Sequence, residues 1–245
     1  LHNNTKQGII VDRATVVVEG MHMADNGYSA AHVLDARRID FWNLTAENNG
    51  ASPSATVEEQ AGLYYFESNN VESASGDVRC RNCSISGSTG QGVLAVNSVD
   101  LWLEGLHLEG NNPTMPAFEV DNGDTMPGGA SGRVQVTNAH VEAETPGQPA
   151  VKFHRAAVEV NGLTMAGNHS GLEWRGDNNG QFPSYLNNSV LSGTQCVLLE
   201  GHPSLNGHGN RISSACTGSI TLTDSQVNWS GPVSYTHLRA HETCT

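Results

Sequence analysis

Residues 101–111, LWLEGLHLEGN, alternate apolar and polar positions with a period of two, as a half-buried strand does. At Gly105 the alternation slips by one residue. Leu101 and Leu103 precede the glycine; Leu106 and Leu108 follow it. In a flat sheet such a slip turns every later side chain to the opposite face. Where the chain turns a corner the slip is harmless, because the interior then lies in a new direction. The pattern therefore predicts strand, corner, strand.

The same unit recurs along the chain as VVVEGMHM (16–23), IDFWNLTA (39–46), VRCRNCSI (78–85), LWLEGLHL (101–108), VQVTNAHV (134–141), VEVNGLTM (158–165), SYLNNSVL (184–191) and ITLTDSQV (220–227). Its corners are Gly20, Asn43, Asn82, Gly105, Asn138, Gly162, Asn188 and Asp224, all residue types that tolerate left-handed backbone. A second unit, a small residue followed by apolar-x-apolar, precedes each: GIIV (8–11), AAHV (30–33), GLYY (62–65), GVLA (92–95), AFEV (117–120), AVKF (150–153), GLEW (171–174) and CVLL (196–199). Successive units lie about 21–39 residues apart. Three short strands per repeat, bent at Gly or Asn, predict an all-β solenoid of about eight coils, a parallel β-helix. No coil can bury its own inward side chains, so stacking makes the core. Asn26, Asn49, Asn111 and Asn168 recur after the third strand, where stacked amides can bond one another. A β-sandwich would join strands directly through Asn-Gly turns, whereas Asn-Gly at 26–27, 49–50 and 122–123 opens longer loops.

On these repeats, over about residues 8–231, the chain resembles the pectin-lyase-like, right-handed parallel β-helix superfamily. The resemblance concerns architecture. That superfamily includes polysaccharide lyases, glycoside hydrolases, epimerases, tailspikes and adhesins, so it implies no single activity. Longer insertions at 47–61, 121–133 and 200–219 are expected to project as loops.

The 245 residues carry a net charge of −13, which opposes nucleic acid and anionic membranes as partners. No apolar run reaches the roughly 18–20 residues of a membrane span. The acidic balance, the scarcity of lysine and the solenoid core together point to an extracellular or cell-surface setting. The chain begins at Leu1 without an initiator methionine, and VSYTHLRAHET (233–243) resembles a translated sequencing-library adapter. The expected domain is therefore residues 1–232, truncated at both ends, followed by a non-native tail at 233–245. Cys80 and Cys83 have CxxC spacing, but they occupy positions that are apolar in sister units, so they read as small buried hydrophobes. Cys196 and Cys216 are candidates for a disulfide.

In small-apolar-x-apolar the x residue points outward, as does the residue just after the unit. Stacking makes one column of Ile10, His32, Tyr64, Leu94, Glu119, Lys152, Glu173 and Leu198, and a second of Asp12, Leu34, Phe66, Val96, Asp121, His154, Arg175 and Glu200. The functional reading is a polysaccharide groove. Lys152 or Arg175 binds a carboxylate or takes a proton; Glu119, Asp121 or Glu173 acts as acid or base; Tyr64 and Phe66 stack on sugar rings. The plainer reading is a solvated ladder of opposite charges. No metal or cofactor is expected; calcium, which carboxylates can ligate, has no further support. His107 and His140 fall on adjacent coils but are too few for a metal. GHGNRI (207–212) resembles part of the polygalacturonase pattern, yet the chain holds no Asn-Thr-Asp and no Asp-Asp, so His208 reads as a loop residue. Without a complete catalytic set, the expected function is carbohydrate recognition in an adhesin-like surface or secreted protein. The alternatives are a lyase or hydrolase using the charged coils between residues 119 and 200, and a structural stalk.

Overall fold

The computed structural model describes residues 1–35, 37–66, 77–97, 100–122, 133–176, 184–201, 205–212, 220–223 and 227–230. Among them the chain is all-β, with a three-residue 3-10 turn at Glu58–Gln60. The proposed tail at 233–245, Cys216 and the Asp224 corner lie outside the described residues.

Two large parallel sheets organise the chain. The small-apolar-x-apolar units form a nine-stranded sheet, from Ile9–Asp12 through Ala31–Leu34, Leu63–Phe66, Val93–Val96, Phe118–Asp121, Val151–His154, Gly171–Arg175 and Cys196–Glu200 to Ile220–Thr223. Each strand pairs in parallel with the next one in this series. The chain returns after as few as 21 residues, Val151 to Leu172, and as many as 33, Phe118 to Val151. A fifteen-stranded sheet carries the corner units, and the long strands Arg133–Glu142 and Ala157–Ala166 run through the corner without a break. Among the described residues the paired strands are all parallel and joined by crossovers, which is compatible with a β-helix.

Seven of the expected corners have positive φ: Gly20 (61°), Asn43 (53°), Asn82 (52°), Gly105 (64°), Asn138 (53°), Gly162 (80°) and Asn188 (49°). The eighth was misplaced. ITLT at 220–223 pairs with Val197–Glu200 and belongs to the nine-stranded sheet. The missing corner unit is LNGHGNRI (205–212), expected to be an insertion. Leu205–His208 pairs with Ser184–Asn187, Arg211 pairs with Val190, and Gly209 turns the corner at φ 65°. Between the inward Leu205 and Ile212, its other two inward positions are Gly207 and Asn210 instead of aliphatic residues, which hid it from a hydrophobic pattern. His208 is thus the last residue of a strand, not a loop residue.

The interior is continuous. Phe118 and Phe153 meet edge-on with centroids 5.4 Å apart, and Phe153 meets Trp174 at 5.1 Å. All three are almost fully buried, and each such side chain contributes about 1.5–3 kcal/mol by leaving water. Cys80 and Cys83 fill inward positions as expected, and they are joined by a disulfide across the Asn82 corner. Cys196 is also disulfide-bonded.

Side-chain amides, buried at Asn26, Asn49 and Asn111, link the turns after the third strands. Asn4 Nδ2 donates to Asn26 Oδ1, and Asn26 Nδ2 to Asn49 Oδ1, each at 2.8 Å. Asn111 Oδ1 accepts from the Ser88 backbone N–H. Asn168 does not join this ladder: it is exposed, and its neighbour His169 is the buried residue, 3.3 Å from Ser192 Oγ.

Two predictions follow from corners and ladder. At Gly20 an added Cβ meets nothing within 4 Å, so only φ restricts the residue. Gly20→Asn should shift the urea midpoint negligibly, whereas Gly20→Val should cost about 1–2 kcal/mol. Burial lowers the pKa of His169 below its ordinary value, with weaker opposing effects from the Ala166 backbone and Glu144. The unfolded chain therefore takes the proton first, and stability is lost as pH falls below about 6.5. His169→Gln should flatten the decline in urea midpoint between about pH 7 and pH 5.5.

Candidate functional site

The nine-stranded sheet brings the two outward columns together in the expected order. Register runs Ile10–His32–Tyr64–Leu94–Glu119–Lys152–Glu173–Leu198 along one column. Asp12–Leu34–Phe66–Val96–Asp121–His154–Arg175–Glu200 follow in the same registers along the other. Phe66 is placed by its backbone.

The charged half of the face is engaged with itself. Lys152 Nζ donates to Glu119 Oε1 at 2.6 Å, and Gln91 Nε2 donates to Glu119 Oε2 at 2.8 Å. His154 Nδ1 lies 2.9 Å from Asp121 Oδ1. Arg175 Nε lies 2.8 Å from Glu173 Oε1 and 3.3 Å from Glu200 Oε2. Glu119 is 8% exposed, so both its oxygens are committed in a nearly closed setting. Burial disfavours the charge on Lys152, but the hydrogen bond from its ammonium to Glu119 and the fields of Glu119, Asp121 and Glu173 outweigh that and raise its pKa. Lys152 is therefore a fixed cation and not a base at neutral pH. Glu119 and Glu173 flank Lys152 two strand spacings apart, about 10 Å, close to the separation of an inverting hydrolase. Such a pair needs one carboxyl free to protonate a leaving group and another free to hold water; here both contact cations.

The apolar half is partly covered. Tyr64 is 9% exposed and Leu94 is buried; both pack with Ala61. Burial, with smaller contributions from Glu58 and Glu59, pushes the Tyr64 phenol up to about 12. It stays protonated, and it is not the open stacking platform expected from the sequence. His32 packs on its ring with centroids 4.6 Å apart. Burial lowers the His32 pKa, opposed by Glu59.

Sequence reasoning missed two features. Gln7 and Gln91 each stand two residues before a strand of this sheet and reach the outward residue of the following coil. Gln7 Nε2 donates to His32 Nδ1 (3.2 Å), as Gln91 does to Glu119. Their common offset, Gln-Gly-apolar, is visible in the sequence. The outward positions before the corners of the other sheet were also overlooked. There the Arg79 guanidinium lies 3.9 Å from the Trp102 ring centre, and that of Arg81 lies 4.9 Å from Trp42. Reading the x residue of the corner units as a column, as was done for the first sheet, would have found these residues.

His107 and His140 do meet, stacked with centroids 5.1 Å apart and planes 7° apart. Among the described residues no three His, Cys, Asp or Glu side chains gather to hold a metal ion. Nor does any described helix have the length and apolarity to cross a membrane. Comparisons with known protein families, curated proteins and solved structures find no match.

The ladder makes a sharp energetic prediction. Lys152→Met strands a nearly buried Glu119 and should cost about 1–3 kcal/mol, discounted because Lys152 keeps partial solvent contact. Adding Glu119→Met together with Gln91→Met, whose amide otherwise loses its acceptor, should recover most of that loss in urea denaturation, because three apolar side chains need no partner.

Proposed function

We propose that this chain is a length of right-handed parallel β-helix of about eight coils, of the pectin-lyase-like kind, and that it recognises glycans without cleaving them. The observation carrying this reading is the ladder Gln91–Glu119–Lys152 with Asp121–His154 and Glu173–Arg175–Glu200, in which each candidate acid and cation has a partner within 3.3 Å. A catalytic acid and base need open faces toward substrate. A rigid sheet with ordered polar columns instead suits repeated weak contacts to a polymer.

The disulfides at Cys80–Cys83 and Cys196 support an extracellular or cell-surface place, because such bonds persist in oxidising compartments. The net charge of −13 disfavours nucleic acid as the partner.

The test is affinity electrophoresis of the chain through gels loaded with neutral and uronate polysaccharides, with parallel assays for unsaturated products by absorbance near 235 nm and for new reducing ends. Retardation by at least one polymer without product release is expected. Product release would overturn the non-catalytic reading. Absence of retardation by every polymer would remove glycan recognition and leave a stalk.

A further inference from the structure

The outward face of the strands before the corners carries three large aromatic side chains that the core does not use. Trp42 is 40% exposed and Tyr185 is 41% exposed, and Trp102, between them, keeps partial solvent contact. Register places them along the stack. Trp42 stands opposite Arg81, and Arg79 on the same strand stands opposite Trp102. From Trp102 the column runs through Gln135 and Glu159 to Tyr185. Trp42 and Trp102 are therefore two strand spacings apart and Trp102 and Tyr185 three, about 10 Å and about 14 Å along the stack. Val17, 65% exposed, adds an apolar side chain one strand before Trp42.

The two indoles are braced from one side. Arg81 lies over the Trp42 ring and is itself held 3.4 Å from Glu104; Arg79 lies over Trp102 and is held 3.2 Å from Asp77. A braced ring loses little freedom when a ligand settles on its other face. Charge narrows what that ligand is. Arg81 already takes one face of Trp42, which disfavours a second cation there. Glu19, next to Trp42 in register and exposed, has no ion pair among the described residues and repels an anion. Farther along, Arg133 and Glu159 are matched at 3.3 Å. Arg37, exposed in the turn before Arg38–Trp42, also lacks an ion pair among the described residues, so an anionic polymer is one arm of the test. The net charge of −13 sets a second copy of the chain against the first. What fits is uncharged, flat-faced and long. A pyranose ring with equatorial hydroxyls presents C–H bonds on both faces, and their positive hydrogens meet the negative face of an indole or phenol ring.

We infer that Trp42, Trp102 and Tyr185 form a strip on the outward face of the fifteen-stranded sheet that binds an extended, uncharged polysaccharide lying along the stack, with sugar rings stacked on the three aromatic side chains. The strip spans five strand spacings, about 24 Å, the length of roughly five sugar rings in an extended chain. This rests on the glycan-recognition reading and gives it a surface and a sugar class: pyranoses with equatorial hydroxyls in an extended linkage.

The test uses the full chain, with a soluble cellulose ether and xylan as extended neutral probes, dextran as a flexible neutral probe and polygalacturonate as an anionic one. Affinities of wild type, Trp42→Ala, Tyr185→Ala and the double variant are compared by calorimetry and gel retardation. Both substituted side chains are exposed, and melting temperatures measured alongside show that the variants fold; a variant that does not fold leaves the other to carry the test. The expected result is binding to an extended neutral probe, weakened about tenfold by each substitution and about a hundredfold by both, because the two positions lie too far apart to couple. Unchanged affinity in both single variants puts the polymer elsewhere and overturns the inference while glycan recognition stands. Binding to dextran or polygalacturonate alone does the same. Self-association of the wild type that Trp42→Ala abolishes, seen by sedimentation, makes the strip a protein interface and also overturns it. Absence of binding to every probe removes the reading beneath it.

Discussion

Parallel pairing between successive returns of the chain is the constraint on which everything else depends. A single return presents only two or three inward side chains per strand and cannot shield them. Its neighbours do so, and only in one register, because a shift of one residue would expose Val11, Val33, Tyr65 and Phe153 together. The left-handed corners serve that register. At Asn82, Gly105, Asn138 and Gly162 the chain reverses which residues face inward within a single residue. The two adjacent strands can then belong to one sheet while both fill the same core.

The same register explains the chemistry of the surface. In a parallel stack, a residue's outward neighbours are fixed by sequence position, so a charge at one return demands an opposite charge at the next or open solvent. Glu119, Lys152 and Glu173 satisfy this on one face. Asp40 and Arg79, next to each other in register and 3.9 Å apart, do so on another. The charged columns are therefore a consequence of stacking before they are anything functional. This is the main physical reason for preferring recognition to catalysis. An active carboxyl in such a column must be kept apart from the partners that stacking supplies, and Glu119 is not.

The architecture was legible because its signal is redundant. Period-two alternation, a glycine or asparagine at each slip and a small residue before each second unit recur many times, so a few irregular units did not obscure the rule. The columns were legible for the same reason: once corners align, the order of every outward residue follows. The failures share a physical character. LNGHGNRI was missed because Gly207 and Asn210 occupy inward positions where the rule requires apolar residues; Asn210 is tolerated there because its amide is bonded on both sides, to the Ser189 N–H and the Leu186 carbonyl. Asn168 was chosen for its type, but the turn after Ala166 carries one more residue and buries His169 instead. Tyr64 was placed correctly and misjudged in exposure, because what covers it comes from the separate segment around Glu58–Ala61.

That last case shows where variation enters a repetitive scaffold. The strands supply a lattice of positions with nearly fixed spacing, and by themselves they distinguish one ligand poorly from another. Local variation comes from residues that break the repeat at the corners before the strands. Gln7, Gln91 and Gln195 occupy such positions, whereas the corresponding places at the other returns hold Ser29, Ala61, Pro116, Pro149 and Ser170. None of those five side chains is long enough to bridge to the next return. Gln7 and Gln91 spend their donors on the next return, tying the outward side chains of His32 and Glu119 to the scaffold.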